Sequence, residues 1–360
     1  MPTSLVTGGA GFIGSALVRQ LLDDGASTVA NVDALTYAGN LEALGGVKQG
    51  HRHHFHHVDI RDAAALRAVF DRERPERVFH LAAESHVDRS IDGPEPFVST
   101  NVVGTMNVLQ ESLRHWRSLS GPARHAFRVV HVSTDEVYGS AHDDERFTEQ
   151  SCYAPSSPYA ASKAAADHLA RAWHHTYGLP VVLTNCTNNF GPYQFPEKLI
   201  PLMIAKALAG DALPVYGSGE QVRDWLYVDD HAQALRLVAE RGTVGETYHV
   251  GANATRRNID VVRALCALLD ELRPSPRGSY EKQINSVPDR PGHDQRYALE
   301  ASKLRRELGW APTMNFEDGL RRTVEWYLAH PEWYAWGSEA AYRGERLGVV
   351  PAVPVSPVFP

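Results

Sequence analysis

From residue 4 to about residue 186, short apolar runs alternate with longer stretches whose apolar positions recur at helical spacing. The runs SLVT, STVANV, HFHHVDI, RVFHLAA, AFRVVHVS and LPVVLTN have strand length. Helical period marks the segments around Ile13–Leu22, through Ala63–Phe70, through Val102–Trp116 and from about Pro158 to Tyr177. Alternating strand and helix predicts an α/β fold, a doubly wound parallel sheet that gathers its ligands where the strands end. After about residue 190 the pattern changes. Proline and glycine become frequent, as in NNFGPYQFP, LPVYGSGE and PDRPGHD, and the apolar runs shorten. This predicts a smaller C-terminal lobe, with residues 1–187 mainly forming the first lobe and 188–336 mainly the second. A proline-rich tail over residues 337–360 ends in GVVPAVPVSPVFP, whose spaced prolines predict an extended chain.

Composition narrows the functional classes. With 360 residues and 43% hydrophobic content the chain can bury a sizeable core. A net charge of −7 gives no global positive field, so nucleic acid and anionic membrane surfaces are disfavoured partners. The start MPTSLVTGG enters a strand at once, and no apolar run is long enough to span a bilayer, which predicts a cytoplasmic protein. Three cysteines, Cys152, Cys186 and Cys266, match neither a disulfide framework nor a redox pair and are expected to be reduced core or near-core thiols. HRHHFHH at 51–57 invites a metal reading, but alternate residues of a strand face opposite sides, so no metal site is expected there.

Gly8-Gly9-Ala10-Gly11-Phe12-Ile13-Gly14 follows the first strand and opens a helix. Its amides and the helix N-terminus are placed to face a pyrophosphate, the arrangement of a Rossmann-type dinucleotide site. Asp33, nineteen residues past Gly14, ends the second strand, where a carboxylate accepts from a ribose diol. The same charge repels a 2′-phosphate, and Ala34 and Leu35 supply no cation to hold one, so NAD is expected over NADP. Asp59 and Ile60, at the end of the third strand, are candidates to flank the adenine, or Asp59 simply caps the next helix.

Tyr159 and Lys163 lie four apart on one helix face. An ammonium near a phenol favours the phenolate, so Tyr159 is a candidate base toward a hydroxyl. Upstream, Thr134-Asp135-Glu136 closes the fifth strand. Two adjacent carboxyls in a partly desolvated site do not both ionise freely, so one stays an acid while the other serves as a base. An enzyme that only oxidised an alcohol would not need them; together they point to loss of water from a transient ketone.

These segments resemble the dTDP-glucose 4,6-dehydratases of the extended short-chain dehydrogenase/reductase superfamily. The likeness runs from about residue 4 to about residue 334 through TGGAGFIGS, DALTYAGN, HLAAESHVDRSI, VSTDEVYG, SPYAASKAAADHL, NCTNNFGPYQFPEKLIP, LPVYGSGEQVRDWLYVDDHA and DRPGHDQRYA. The resemblance implies a lyase acting on dTDP-glucose with NAD, with Thr134, Asp135, Glu136, Tyr159 and Lys163 catalytic. It implies NAD contacts from Gly8, Gly11, Phe12, Ile13, Gly14, Asp33, Ala34, Leu35, Thr36, Asp59, Ile60, Leu81, Ala82, Ala83, Ser85, Thr100, Tyr159, Lys163 and Asn189. Sugar or diphosphate contacts are implied for Ser85, Thr134, Asn188, Lys198, Leu199, Arg223, Asn258, Arg290 and His293, with Pro214, Val215 and Tyr216 along the nucleotide. The forked guanidiniums of Arg223 and Arg290 suit a diphosphate, and the alternative is pairing with Asp224 or Asp289. Thr187 and Phe190 replace an expected serine and tyrosine, which removes a hydrogen bond near the sugar. The resemblance also implies a homodimer packed through Val102–Trp116 and Pro158–Tyr177.

Overall fold

The computed structural model describes residues 2–334 apart from 24, 26, 48, 49, 143 and 144, together with Gly348. Six strands fall on the six apolar runs: β1 Thr3–Thr7, β2 Thr28–Asp33, β3 His53–His57, β4 Arg77–His80, β5 Arg128–Thr134 and β6 Val181–Cys186. Short strands follow at β7 Asn188–Phe190, β8 Leu213–Tyr216, β9 Val222–Tyr227, β10 Thr247–Val250, β11 Thr255–Arg257 and β12 Ile284–Val287. The helices are α1 Phe12–Asp23, α2 Ala63–Glu73, α3 Val87–Asp92, α4 Glu95–Phe97, α5 Thr105–Ser118 and α6 Gly121–Ala126, then α7 Pro158–Tyr177, α8 Leu199–Ala209, α9 Val228–Arg241, α10 Asn258–Leu272, α11 Ser302–Leu308 and α12 Phe316–Ala329.

Seven parallel strands form the main sheet in the order β10-β6-β5-β4-β1-β2-β3. Chain order reverses between β1 and β4, which opens the crevice at their carboxyl ends where this sheet class binds ligands. Local chemistry fixes the helix that carries Tyr159 and Lys163. The Ser157 hydroxyl accepts from the Ala160 N–H, Pro158 occupies the first turn, and Gly178 closes the helix in the left-handed conformation.

Sheets β11-β9-β7 and β12-β8, with α8, α10 and α12, build the second lobe around Phe190, Trp225, Leu265 and Tyr327. The chain does not stay in that lobe. Strand β10 completes the main sheet, and Leu235 and Val238 of α9 join Leu17 and Leu21 of α1 in one core that also takes Leu304, Leu308 and Trp310.

The helix expected over Val102–Trp116 differs at its start. Residues Val98–Gly104 wind as a wide π-turn before α5 begins at Thr105. Gly104 permits this packing, because a Cβ there would lie 2.6 Å from the Ile60 Cδ1. The widened turn places the Asn101 amide to donate to the Glu84 carbonyl at 2.9 Å and the Ser162 hydroxyl at 2.8 Å, joining a cofactor-side loop to α7.

Strand β3 divides its histidines by face: His53 meets Asn31 in the interior, while His54 and His56 both reach the Glu73 carboxylate, at 2.7 and 3.0 Å. Among the described residues, no three His, Cys, Asp or Glu side chains are grouped to hold a metal ion. Cys186 and Cys266 are buried, whereas Cys152 is exposed on a loop rather than near the core. Among the described residues, no helix is long and apolar enough to cross a membrane. The extended tail expected over 337–360 lies outside the described residues save for Gly348, whose N–H donates to Asp92 Oδ2 at 2.8 Å.

Candidate active site

A cleft with a cavity volume of about 320 Å³ runs across the carboxyl ends of the main sheet. Every residue expected on the cofactor lines it except Leu35. Leu35 instead turns the chain with a φ of 48°, its N–H donating to Asp33 Oδ1 at 2.8 Å. The glycine loop fits a dinucleotide. A Cβ on Gly14 would lie 2.0 Å from the Gly8 carbonyl oxygen, and Gly8 needs a φ of 74° with the Ala82 backbone 2.7 Å from any added Cβ. Asp33 Oδ2 accepts the Ala10 N–H at 2.9 Å, which fixes the carboxylate beside the loop. Burial holds the Asp33 carboxyl above its ordinary value despite the Leu35 and Ala10 amides. Asp59 does not cap a helix: α2 is capped by Asp62, and Asp59 pairs with Arg61 at 2.6 Å while lining the cleft.

A second cleft of about 220 Å³ lies between the lobes. Asn188, Lys198, Leu199, Pro214, Val215, Tyr216, Arg223, Asn258, Arg290 and His293 line it, whereas Ser85 and Thr134 line the first cleft. Glu136, Asn188, Glu197 and Lys198 belong to both walls. Glu136 therefore stands where the two clefts meet.

Neither arginine pairs with its chain neighbour. Arg290 bonds Asp88 Oδ1 at 2.7 Å, and Arg223 donates to the Val222 and Asp294 carbonyls, each at 2.8 Å, with its guanidinium 4.0 Å over the Tyr297 ring. Asp289 accepts from His293, Gln221 and the Arg290 backbone N–H but not from the Arg290 guanidinium, and Asp224 accepts the amides of residues 252–254. The physical reason is direction: consecutive strand residues point to opposite faces, so Arg223 and Asp224 of β9 cannot meet.

Asp135 and Glu136 open a short 3₁₀ turn, Asp135–Tyr138, directly after β5, and the Thr134 hydroxyl accepts the Glu136 N–H at 3.3 Å. Asp135 is buried, and desolvation with the neighbouring Glu136 charge drives its carboxyl well above the ordinary range. Its Oδ2 has no hydrogen-bond partner among the described residues. Burial also raises Glu136, but Arg290, Arg223 and Lys198 pull it back toward the ionised form. The environment thus separates the two carboxyls, with Asp135 the better holder of a proton.

Tyr159 and Lys163 share the inner face of α7, both buried. Burial, then Glu136 and Cys186, push Tyr159 well above its ordinary value, and the opposing pull comes from the Thr134 hydroxyl. The Lys163 ammonium donates to the Val132 carbonyl at 2.8 Å, which directs it along β5.

Several site groups escaped the sequence reading although they sit inside the quoted segments. Asp88 bonds both Arg290 and the Tyr216 hydroxyl, and Tyr297 reaches Glu136 Oε2 at 3.4 Å and Asp294 at 2.8 Å. Glu197 holds Arg89 at 2.8 Å, and Cys186 lines the cofactor cleft, its thiol pushed up to about 12 by burial. A carboxylate followed by arginine in HVDRSI carries no local sign that its partner lies in the other lobe. Phe190 is packed in the second-lobe core and lines neither cleft, while Thr187 Oγ1 is buried beside the first cleft with no hydrogen-bond partner among the described residues.

Comparison with known proteins agrees with this geometry. The family model described as GDP-mannose 4,6 dehydratase matches residues 5–323. A dTDP-glucose 4,6-dehydratase of Escherichia coli is 54% identical over 358 residues, covering 96% of this chain and 99% of the relative. The crystal structure of a dTDP-glucose 4,6-dehydratase from Streptomyces venezuelae, with NAD and dTDP bound, superposes with a TM-score of 0.84 at 47% identity, over 92% of this chain and 99% of that one. A UDP-glucose 4-epimerase from Thermotoga maritima shares the fold at 29% identity and a TM-score of 0.80, covering 91% and 99%. The chain belongs to the dTDP-glucose 4,6-dehydratase family of the extended short-chain dehydrogenase/reductase superfamily.

Proposed function

We propose that this protein is a dTDP-glucose 4,6-dehydratase, an NAD-dependent hydro-lyase that yields dTDP-4-keto-6-deoxyglucose for deoxysugar biosynthesis. The observation that carries the reading is Glu136 standing with Asp135 where the cofactor cleft joins the second cleft. An alcohol oxidised and re-reduced in place, as in a 4-epimerase, gives two carboxyls at that junction nothing to do. The Gly8–Gly14 loop and Asp33 would hold NAD, which would supply a hydride acceptor for carbon 4 and a hydride donor for carbon 6.

The chain's own groups handle the protons. Tyr159 takes the proton of the 4-hydroxyl, with Thr134 holding that oxygen and Lys163 supplying positive charge on the same helix face. The ketone acidifies carbon 5, Glu136 removes that proton, and Asp135 protonates the leaving 6-hydroxyl so that water departs. The division follows the site's charges: three cations favour ionised Glu136, while burial and its neighbour keep Asp135 protonated. Arg223, Arg290 and Lys198 clamp the diphosphate, and Pro214, Val215 and Tyr216 lie along the nucleotide. In this reading residues 1–187 mainly hold NAD and 188–336 mainly hold the sugar nucleotide.

A homodimer belongs to the same proposal. Val98, Val103 and Met106 are exposed by 53, 45 and 40% across the π-turn and the first turn of α5, an apolar surface suited to a second copy.

The test is incubation with dTDP-glucose, and in parallel UDP-glucose and GDP-mannose, without added NAD, with products identified by mass and NMR. A 4-keto-6-deoxy product from dTDP-glucose is expected. A 4-epimer would overturn the assignment.

A further inference from the structure

One buried carboxylate, which the proposed chemistry does not use, joins the two elements that carry the reacting groups. Asp167 lies on α7 one turn beyond Lys163 and has no exposed surface. Its Oδ1 takes His131 Nε2 at 3.0 Å, and its Oδ2 accepts the Ser133 hydroxyl at 2.8 Å and the Tyr153 hydroxyl at 2.9 Å. A carboxylate only accepts, so His131 Nε2 carries the proton. His131 and Ser133 both belong to β5, and Ser133 immediately precedes Thr134.

Lys163 is enclosed by several elements. Cys186 faces it from β6, His80 and His131 from β4 and β5, and Tyr159 lies one turn back on α7. Asp167 is the one carboxylate in this set. Burial drives the Lys163 ammonium below its ordinary value, and Asp167 is the first of the groups that oppose it. Burial alone would raise Asp167, yet the His131 bond and the Lys163 charge bring it below its ordinary value. Arg171 completes the surroundings through the Tyr153 hydroxyl at 2.9 Å.

We propose that Asp167 is a positioning residue of the reaction: its carboxylate clamps the end of β5 against α7 and serves as the fixed counter-charge of Lys163. The clamp sets Thr134, Asp135 and Glu136 in register with Tyr159. The charge keeps an ammonium in a buried site that otherwise favours the neutral amine. This inference rests on the roles proposed above for Tyr159 and Lys163.

D167N separates charge from shape. His131 Nδ1 is buried with no hydrogen-bond partner among the described residues, so the ring can move its proton there and let Nε2 accept from the new carboxamide. The remaining oxygen still accepts from Ser133 and Tyr153. The direct readout is an NMR titration of the Lys163 Nζ in lysine-labelled holoenzyme, assigned by the signal missing in K163M. Its midpoint is expected to fall by about one pH unit or more in D167N. The alkaline limb of the kcat profile moves to lower pH with it, while KM for the sugar nucleotide changes less than about twofold. An unmoved Lys163 midpoint, or activity lost equally at every pH, overturns the proposal.

D167E decides the matter should D167N not fold. It keeps the charge but lengthens the clamp, so the Lys163 midpoint and the alkaline limb stay in place while kcat falls; a midpoint that drops with the charge retained overturns the counter-charge role. The titration needs no substrate. It judges Asp167 even if the wild-type protein forms no 4-keto-6-deoxy sugar, the outcome that defeats the proposed function instead.

Discussion

Asp88 and Arg290, 202 residues apart in the chain, meet as an ion pair at 2.7 Å on the wall of the second cleft. The other Asp88 oxygen accepts the Tyr216 hydroxyl at 2.7 Å, so one carboxylate orients two groups assigned to the nucleotide. Burial works against the Arg290 charge, and Asp88, Glu136 and Tyr297 together more than restore it, with Asp88 first among them. D88N should therefore loosen Arg290 and raise KM for dTDP-glucose by about tenfold, in line with about 1.5–3 kcal/mol for a hydrogen bond to a charged group. Steady-state kinetics check this, with kcat expected to change much less than KM.

The two carboxyls should fail in different ways. E136Q removes the base and should slow turnover by about 10²–10⁴, or about 3–5 kcal/mol of barrier, and suppress solvent-deuterium entry at carbon 5. D135N removes the acid and should slow elimination while leaving exchange at carbon 5 measurable. Undiminished exchange in E136Q would take Glu136 out of the base role.

Burial of His231 makes acid lability a property of the fold. Its Nδ1 is 2.9 Å from the Asn189 side chain, and desolvation brings its value down to about 3 from an ordinary 6.5. The unfolded chain then binds the proton first, so this residue costs no stability above about pH 6.5 and a growing amount as pH falls toward about 3. H231N, which keeps the donor to Asn189 and removes the titration, should flatten the decline of Tm between about pH 6.5 and 4. An identical slope in both proteins would place the acid sensitivity elsewhere.

Charge placed on the apolar surface at the start of α5 should prevent self-association. M106E is expected to shift sedimentation from dimer toward monomer without loss of fold, because Met106 is 40% exposed in the single chain. A dimer that persists in M106E and in V103E would move the interface to another face.

Much of the site was legible because its parts are local. The Gly8–Gly14 loop follows its strand by necessity of spacing, Asp33 ends the next strand, and Tyr159 and Lys163 share a helix face at a separation of four. The first six strands were readable from short apolar runs for the same reason. The π-turn at Val98–Gly104 was not, since the contact of its Gly104 with Ile60 lies far along the chain and leaves no mark in the apolar period of the segment.

Sequence by itself determined the sheet class, the dinucleotide loop and the presence of a carboxyl pair beside a tyrosine and a lysine, because each depends on neighbours along the chain. Tertiary structure alone decided that β10 returns to the main sheet, that Arg290 belongs to Asp88, and that Asp167 stands behind Lys163. It also separated the two carboxyls. Asp135 and Glu136 are adjacent in sequence and nearly equal in intrinsic acidity, and burial raises both, so the difference comes from the Glu136 charge beside Asp135 and from Arg290, Arg223 and Lys198 around Glu136, where Asp135 has Arg223 alone.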